Sequence, residues 1–268
     1  MARRALAQAG FEAVQVVEAQ AVPDADFSTV KSPNPESQAA FALAEELGRK
    51  VDADVLVATD PDADRLGVEI RQPDGSYLNL SGNQIGAIIA KYILEAHKPA
   101  GTLPANAALC KSIVSTELVT KIAESYGATM FNVLTGFKFI GEKIHEFETQ
   151  HNHTYMLGFE ESFGYLIKPF VRDKDAIQAV LIVAEIAAYY RSRGMTLEMV
   201  SKKSTNNTAT SQKKQSLLPF QVLTELLKLR KSWINSVEML LNNSITQTLL
   251  RQKTSWNKQL LLLTALKN

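Results

Sequence analysis

Three aspartates stand at alternate positions in Asp60-Pro61-Asp62-Ala63-Asp64-Arg65, directly after the apolar run Val55-Leu56-Val57-Ala58-Thr59. A short apolar run that ends in a turn reads as a buried strand. The acids then lie at its carboxyl end, where open α/β sheets bind ligands. Leu66-Gly67-Val68-Glu69-Ile70 follows and alternates like a second strand. Three carboxylates this close repel one another unless a cation neutralises them, and hard oxygen donors favour Mg²⁺ or Ca²⁺. Pro61 and Arg65 suit a fixed loop beside an anionic ligand. The bland alternative is a solvated acidic turn. An EF-hand loop starting at Asp60 needs Gly at its sixth place and Glu at its twelfth; Arg65 and Arg71 stand there. An aspartyl-phosphate phosphatase would want Thr or Val where Asp64 is.

The flanking pattern extends the α/β reading. Residues 2–9 read as a helix ended by Gly10, then Ala13-Val14-Gln15-Val16-Val17 as a strand. Pro35-Glu36-Ser37 opens a helix with Ala40, Phe41, Ala44 and Leu47 on one face. With the strand before the Asp loop this is a βαβ unit, which predicts a parallel sheet. Pro73-Asp74-Gly75-Ser76 is a hairpin turn, and Ser81-Gly82-Asn83 starts a helix to about residue 96. A Pro/Gly-rich linker covers 97–104. A second α/β unit follows: strand 109–114, helix 116–126, strand 129–133, helix 139–148, strand 154–159, a loop, and a long apolar helix at 175–191.

Composition narrows the function classes. A net charge of +1 argues neither for nucleic acid nor for a membrane surface. The one cysteine, Cys110, excludes an intrachain disulfide and a Cys-rich zinc site, and its apolar setting reads as a buried strand thiol. No signal peptide or membrane span is visible, which fits a cytoplasmic protein. After about residue 197 the character changes. Residues 201–268 hold no Gly, one Pro and two acids (Glu225 and Glu238), with helix expected at 221–229 and near Leu260 and no strand pattern.

Three further constellations carry chemistry. Gly158-Phe159-Glu160-Glu161-Ser162-Phe163-Gly164-Tyr165 sets adjacent acids and a hydroxyl on a strand-end loop, suited to sugar hydroxyls or to an ordinary polar loop. Thr135-Gly136-Phe137-Lys138 offers a free turn and a cation for phosphate. Arg172-Asp173-Lys174-Asp175 precedes the last apolar helix, and its bland reading is a charge run with Asp175 as N-cap. With the Asp loop and Val30-Lys31-Ser32-Pro33-Asn34-Pro35-Glu36, these segments closely resemble, in order, the loops of the α-D-phosphohexomutases, the phosphoglucomutase/phosphomannomutase family.

The resemblance implies two consecutive three-layer α/β/α domains with mixed sheets, the second and third of that family's four. Domain II is expected over 1–98, domain III over 99–197, and an irregular or loosely helical tail over 198–268. It implies Mg²⁺ on Asp60, Asp62 and Asp64, and hexose phosphate (glucose or mannose 1- or 6-phosphate) at Arg65, Thr135, Gly136, Lys138, Glu160, Ser162 and Lys174. The family moves phosphate between C1 and C6 of a hexose through a phosphoserine on its first domain. No Ser-His pair occurs in this sequence, and the expectation is a fragment that lacks that domain and the fourth, the missing parts supplied if at all by a separate chain. Read one base over, the tail back-translates to a family-like run, so a frameshift near residues 197–198 is favoured over a new subdomain. The competing readings are an inactive remnant that binds Mg²⁺ and sugar phosphate, and a free-standing phosphatase.

Overall fold

The computed structural model describes residues 1–200 and 263–266. The first sheet has the order β1-β9-β2-β3-β4, built from β1 (Val14–Val16), β2 (Val55–Thr59), β3 (Leu66–Arg71), β4 (Tyr77–Asn79) and β9 (Leu263–Leu266). The second has the order β6-β5-β7-β8, from β5 (Ala107–Ser112), β6 (Thr129–Val133), β7 (Thr154–Phe159) and β8 (Tyr165–Leu166). Among the described residues six α-helices cover the sheets: α1 (Ala2–Gln8), α2 (Ala42–Val51), α3 (Gly82–His97), α4 (Leu118–Tyr126), α5 (Phe137–Gln150) and α6 (Ala176–Arg191).

Side-chain alternation sends the two faces of each strand into different cores. Leu56 and Ala58 of β2 meet Phe41, Ala44 and Tyr77 beneath α2. Val55 and Val57 turn the other way, into a cluster with Leu6, Ile89 and Val183. Leu109 and Leu157 of the second sheet enter that same cluster, whereas Ala108 and Cys110 face Ile140 and Ile144 of α5. The layers therefore run α2, first sheet, a shared layer of α1, α3, α4 and α6, second sheet, α5. Helices α3 and α6 are apolar nearly all round because they touch apolar groups on both sides, whereas α1 and α4 keep a charged face in solvent with Arg3, Arg4, Lys121 and Glu124 exposed. Each fully buried Ile or Leu there contributes roughly 1.5–3 kcal/mol.

Local signals set the element ends. Ser81 caps α3 with a full capping box: its hydroxyl accepts from the Gln84 N–H and the Gln84 side chain accepts from the Ser81 N–H. Asp175 caps α6, accepting from the backbone of Ile177 at 2.9 Å and Gln178 at 3.3 Å. The β3–β4 hairpin forms at the expected turn, with Gly75 at φ +83°. Cys110 is buried on β5 and burial pushes its thiol up to about 12.

Four expectations change. The βαβ pattern predicts a parallel sheet, and β1 and β2 do run the same way, but β9 lies between them and every ladder of the first sheet is antiparallel; the second sheet is mixed, with β5 parallel to β6 and β7 and β8 antiparallel to β7. Helix α2 starts at Ala42 rather than at Pro35. Asn34 Oδ1 accepts from the Glu36 N–H at 2.9 Å, and Pro35 packs so tightly on Gly67 that a Cβ there would lie 2.5 Å from the Pro35 carbonyl. That segment is held as a turn, and a 3-10 turn at Gln38–Phe41 leads into the helix. The strand expected at 109–114 ends at Ser112; Ile113 and Val114 are exposed because the chain there turns toward α4. A strand, β9, forms in the tail where no strand is expected. The helix expected at 221–229, like the other readings placed on 201–262, lies outside the described residues.

Candidate metal and sugar-phosphate site

Strand β2 delivers Asp60 to the rim of the sheet, and Asp60 organises the loop that follows. Its Oδ1 accepts the backbone N–H of Asp64 and of Arg65, each at 3.0 Å. Its carbonyl accepts from Ala63, which sits in the left-handed region at φ +58°. The loop therefore turns all three acids to one side. One oxygen from each of Asp60, Asp62 and Asp64 lies within 4.8 Å of the others. Asp64 Oδ1 is buried without a hydrogen-bond partner. The Asp60 carboxyl is pushed up to about 7, mainly by burial, with Asp64 and Asp62 adding repulsion and the Arg65 N–H opposing them. An all-carboxylate oxygen set with an orphaned buried oxygen fits a hard divalent cation.

The second unit closes over this loop through backbone. Arg65 pairs with Gly164 in an isolated antiparallel bridge. Leu66 N–H donates to Phe163 O at 3.0 Å, and Ala176 N–H to Ala63 O at 3.0 Å. Lys174 is the joint between the two. Its Nζ lies 3.0 Å from Asp64 Oδ2 and 5.6 Å from the Phe137 ring centroid. Burial alone would lower its pKa, but Asp173 and Asp64 outweigh that and raise it. Gly164 makes the passage: a Cβ there would lie 2.2 Å from Lys174 Cδ. Arg65 lies 3.0 Å from Glu36 Oε1 and just under 4 Å from Asp60 and Asp64.

Glu160 is buried, at 5% exposure, and its Oε1 accepts the Gly136 N–H at 2.8 Å. Gly136 adopts φ +121°, ψ 122°, a conformation closed to other residues, so its N–H is turned to Glu160 as α5 begins. Ser162 is half-buried on the same loop, while Thr135 and Lys138 are exposed. Lys138 Nζ sits over the Phe139 ring at 4.9 Å. The structure thus brings Asp60, Asp62, Asp64, Arg65 and Lys174 into one group, and Gly136 and Glu160 into an adjoining one. The Phe137 ring beside Lys174 joins the two. Thr135 and Lys138 rim it without touching the acids.

Sequence reasoning passed over several residues that hold these loops. Glu161 is tied by Ser112 Oγ at 2.6 Å and Ser115 Oγ at 3.1 Å. Its carbonyl packs on Gly82, where a Cβ would come within 2.0 Å. Asn83 Oδ1 accepts the Thr116 N–H at 2.9 Å. Lys111 is fully buried and donates to Ser115 O and Glu117. The signal was the polar run Lys111-Ser112 ending an apolar strand. Glu36 lay within a quoted loop, but its pairing with Arg65 spans 29 residues. Among the described residues no helix is long and apolar enough to cross a membrane.

Family models for phosphoglucomutase/phosphomannomutase match here: α/β/α domain II over residues 1–73 and α/β/α domain III over 81–207. A phosphoglucomutase of Staphylococcus epidermidis is 41% identical over 202 residues, covering 75% of this chain and 36% of that protein. Phosphoglucomutase of Staphylococcus aureus is 42% identical over 188 residues, 70% of this chain and 33% of that one. The open form of Paramecium parafusin, a phosphoglucomutase, superposes with TM-score 0.51 at 26% identity, over 68% of this chain and 30% of that chain. The chain spans about a third of the length of the curated relatives it matches. Two consecutive domain models in order, with the acidic loop falling in the first and the Glu160–Ser162 loop in the second, show that the chain belongs to the phosphoglucomutase/phosphomannomutase family.

Proposed function

We propose that these residues are the metal- and sugar-holding part of a phosphohexomutase, an intramolecular phosphotransferase of hexose phosphates in cytoplasmic carbohydrate metabolism. The observation that carries this is the close triad of Asp60, Asp62 and Asp64 with an orphaned buried oxygen, flanked by Lys174 and Arg65. Asp60, Asp62 and Asp64 would hold Mg²⁺, which supplies Lewis-acid polarisation of a phosphoryl oxygen. Lys174 places an ammonium beside the triad, where it offsets phosphoryl charge. Arg65 exchanges its Glu36 partner for phosphate, a better match to its fork of donors. Glu160 keeps acceptor capacity beyond the Gly136 N–H and, with Ser162, takes the sugar hydroxyls. Thr135, Gly136 and Lys138 line the approach and meet the far phosphate.

Covalent turnover by this route needs a phosphoserine in a Ser-His context, and none occurs in these 268 residues. That favours a second reading, in which the chain binds Mg²⁺ and glucose or mannose phosphate but turns over only when the donor serine comes from another polypeptide. Incubation with glucose 1-phosphate, a trace of the bisphosphate and Mg²⁺, beside calorimetry with each ligand, separates the cases. Interconversion supports a complete mutase, release of free phosphate a phosphatase, and binding alone the second reading. Absence of both Mg²⁺ and sugar-phosphate binding would refute the site.

A further inference from the structure

Glu160 and Glu161 are neighbours with opposite attachments. Adjacent side chains of an extended segment point to opposite sides. Glu160 turns toward the start of α5, where its Oε1 takes the Gly136 N–H at 2.8 Å. A carboxylate engaged by one donor keeps further acceptor sites for a ligand. Glu161 turns toward the connection between β5 and α4. There its Oε2 accepts from Ser112 Oγ at 2.6 Å and from Ser115 Oγ at 3.1 Å. The loop closes on itself beyond them, with the Glu160 N–H donating to Gly164 O at 2.9 Å.

The connection that grips Glu161 is held together without it. Lys111 has no solvent exposure, and its Nζ donates to Ser115 O at 3.0 Å and to Glu117 Oε1 at 2.9 Å. The Ser115 N–H donates to Ser112 O at 3.0 Å, and Asn83 Oδ1 takes the Thr116 N–H at 2.9 Å. Ser112 and Ser115 are buried, with their hydroxyl oxygens 2.7 Å apart. One hydroxyl can donate to the other, so this turn loses little when Glu161 is truncated. The loop loses more. A carboxylate held by one bond to Gly136 can swing about it, and the Glu161 tie, one residue on, fixes the backbone from which it would swing. A binding group that is loose by an ångström loses much of its worth.

We propose, building on the reading of Glu160 as an acceptor for sugar hydroxyls, that Glu161 is the positioning residue for that contact. Anchored by Ser112 and Ser115 to the β5–α4 turn, it aims Glu160 at the hydroxyls and does not itself touch the sugar. The pair of serines and the buried Lys111 beneath them are the rigid base of the device.

Calorimetry with glucose 1-phosphate and with inorganic phosphate, each in the presence of Mg²⁺, on the full chain and its variants tests this. Glu161→Ala should weaken glucose 1-phosphate about tenfold or more, the worth of one hydrogen bond to a charged group. Inorganic phosphate has no sugar hydroxyls, so its affinity should stay that of the parent. Glu161→Gln keeps an acceptor oxygen for the two serines and should restore glucose 1-phosphate binding. Because Glu161 acts through Glu160, the Glu160→Ala/Glu161→Ala double variant should bind no more weakly than Glu160→Ala alone. Ser112→Ala/Ser115→Ala withdraws both donors without altering the loop and should weaken glucose 1-phosphate as Glu161→Ala does. Parent affinity in Glu161→Ala or in the double serine variant overturns the positioning role, as do additive losses at Glu160 and Glu161. Equal weakening of phosphate and glucose 1-phosphate also overturns it, being the mark of a general disturbance. Parent affinity in Glu160→Ala instead overturns the sugar role of Glu160 itself.

Discussion

Replacing Glu69 by Gln should flatten the dependence of folding stability on pH. Glu69 lies on β3 with no solvent exposure. Its Oε1 has a long contact with Asn79 Nδ2 at 3.4 Å, and its Oε2 is buried without a hydrogen-bond partner. Burial is the largest influence and Glu45 adds repulsion, against weaker opposition from Asn79 and Arg49, so the carboxyl is pushed up to about 8. In the unfolded chain it titrates near the ordinary glutamate value of about 4.3. Between these two values the folded chain holds the proton and the unfolded chain has lost it. Stability from this group is therefore fully present below about pH 4.3, falls as pH rises toward 8, and is level above that. One proton gives a slope of about 1.4 kcal/mol per pH unit, and the whole window roughly 5 kcal/mol at most. Water drawn toward a charged Glu69 reduces that figure. Urea unfolding of both proteins at intervals from pH 5 to pH 8.5 measures it. The difference between the two curves isolates Glu69 from Asp60, whose raised pKa acts in the same direction. The variant should gain on the parent steadily across the range, by several kcal/mol at the alkaline end. Parallel curves would refute the reasoning and mean that Glu69 is charged and solvated in the folded protein.

Asp62→Asn removes an exposed carboxylate of the proposed metal triad, so Mg²⁺ affinity by calorimetry should fall about tenfold or more while stability stays within about 0.5 kcal/mol; unchanged affinity would remove the metal assignment. Gly164→Ala puts a Cβ 2.2 Å from the Lys174 stem. That flexible chain can move, so the stability cost should be about 1 kcal/mol, but Lys174 leaves Asp64 and glucose 1-phosphate binding weakens; binding equal to the parent would exclude Lys174 from the site. Gly82→Ala sets its Cβ 2.0 Å from the backbone carbonyl of Glu161, which cannot yield without moving the Glu160–Ser162 loop. A loss of about 1–3 kcal/mol or more is expected in thermal unfolding, and an unchanged midpoint would show that the two units do not meet there.

Much of the site was legible because its chemistry is local. Asp60, Asp62 and Asp64 share one loop, and the strand that carries them announces itself as an unbroken apolar run. The cap at Ser81 and the turn at Gly75 follow from short-range hydrogen bonding and backbone freedom. The Glu160–Ser162 loop was singled out by its resemblance to a family motif, not by physics: neighbouring Glu160 and Glu161 look alike in sequence. Folding separates them, because Gly136 lies 24 residues from Glu160 and Ser112 lies 49 from Glu161. The start of α2 was misplaced for a similar reason. Pro35 is a fair opening for a helix until β3 presses Gly67 against it.

The sequence by itself determined the α/β class, the order of the two units, and the crowding of three acids on one loop, since periodicity, turn residues and charge spacing act over a few residues. Only the tertiary structure decided that Lys174 completes the acidic loop, that one helical layer serves both sheets, and that a strand from the end of the chain sits antiparallel between two parallel ones. Those outcomes depend on which surfaces remain to be buried, and which strand edges remain to be paired, once every local choice has been made.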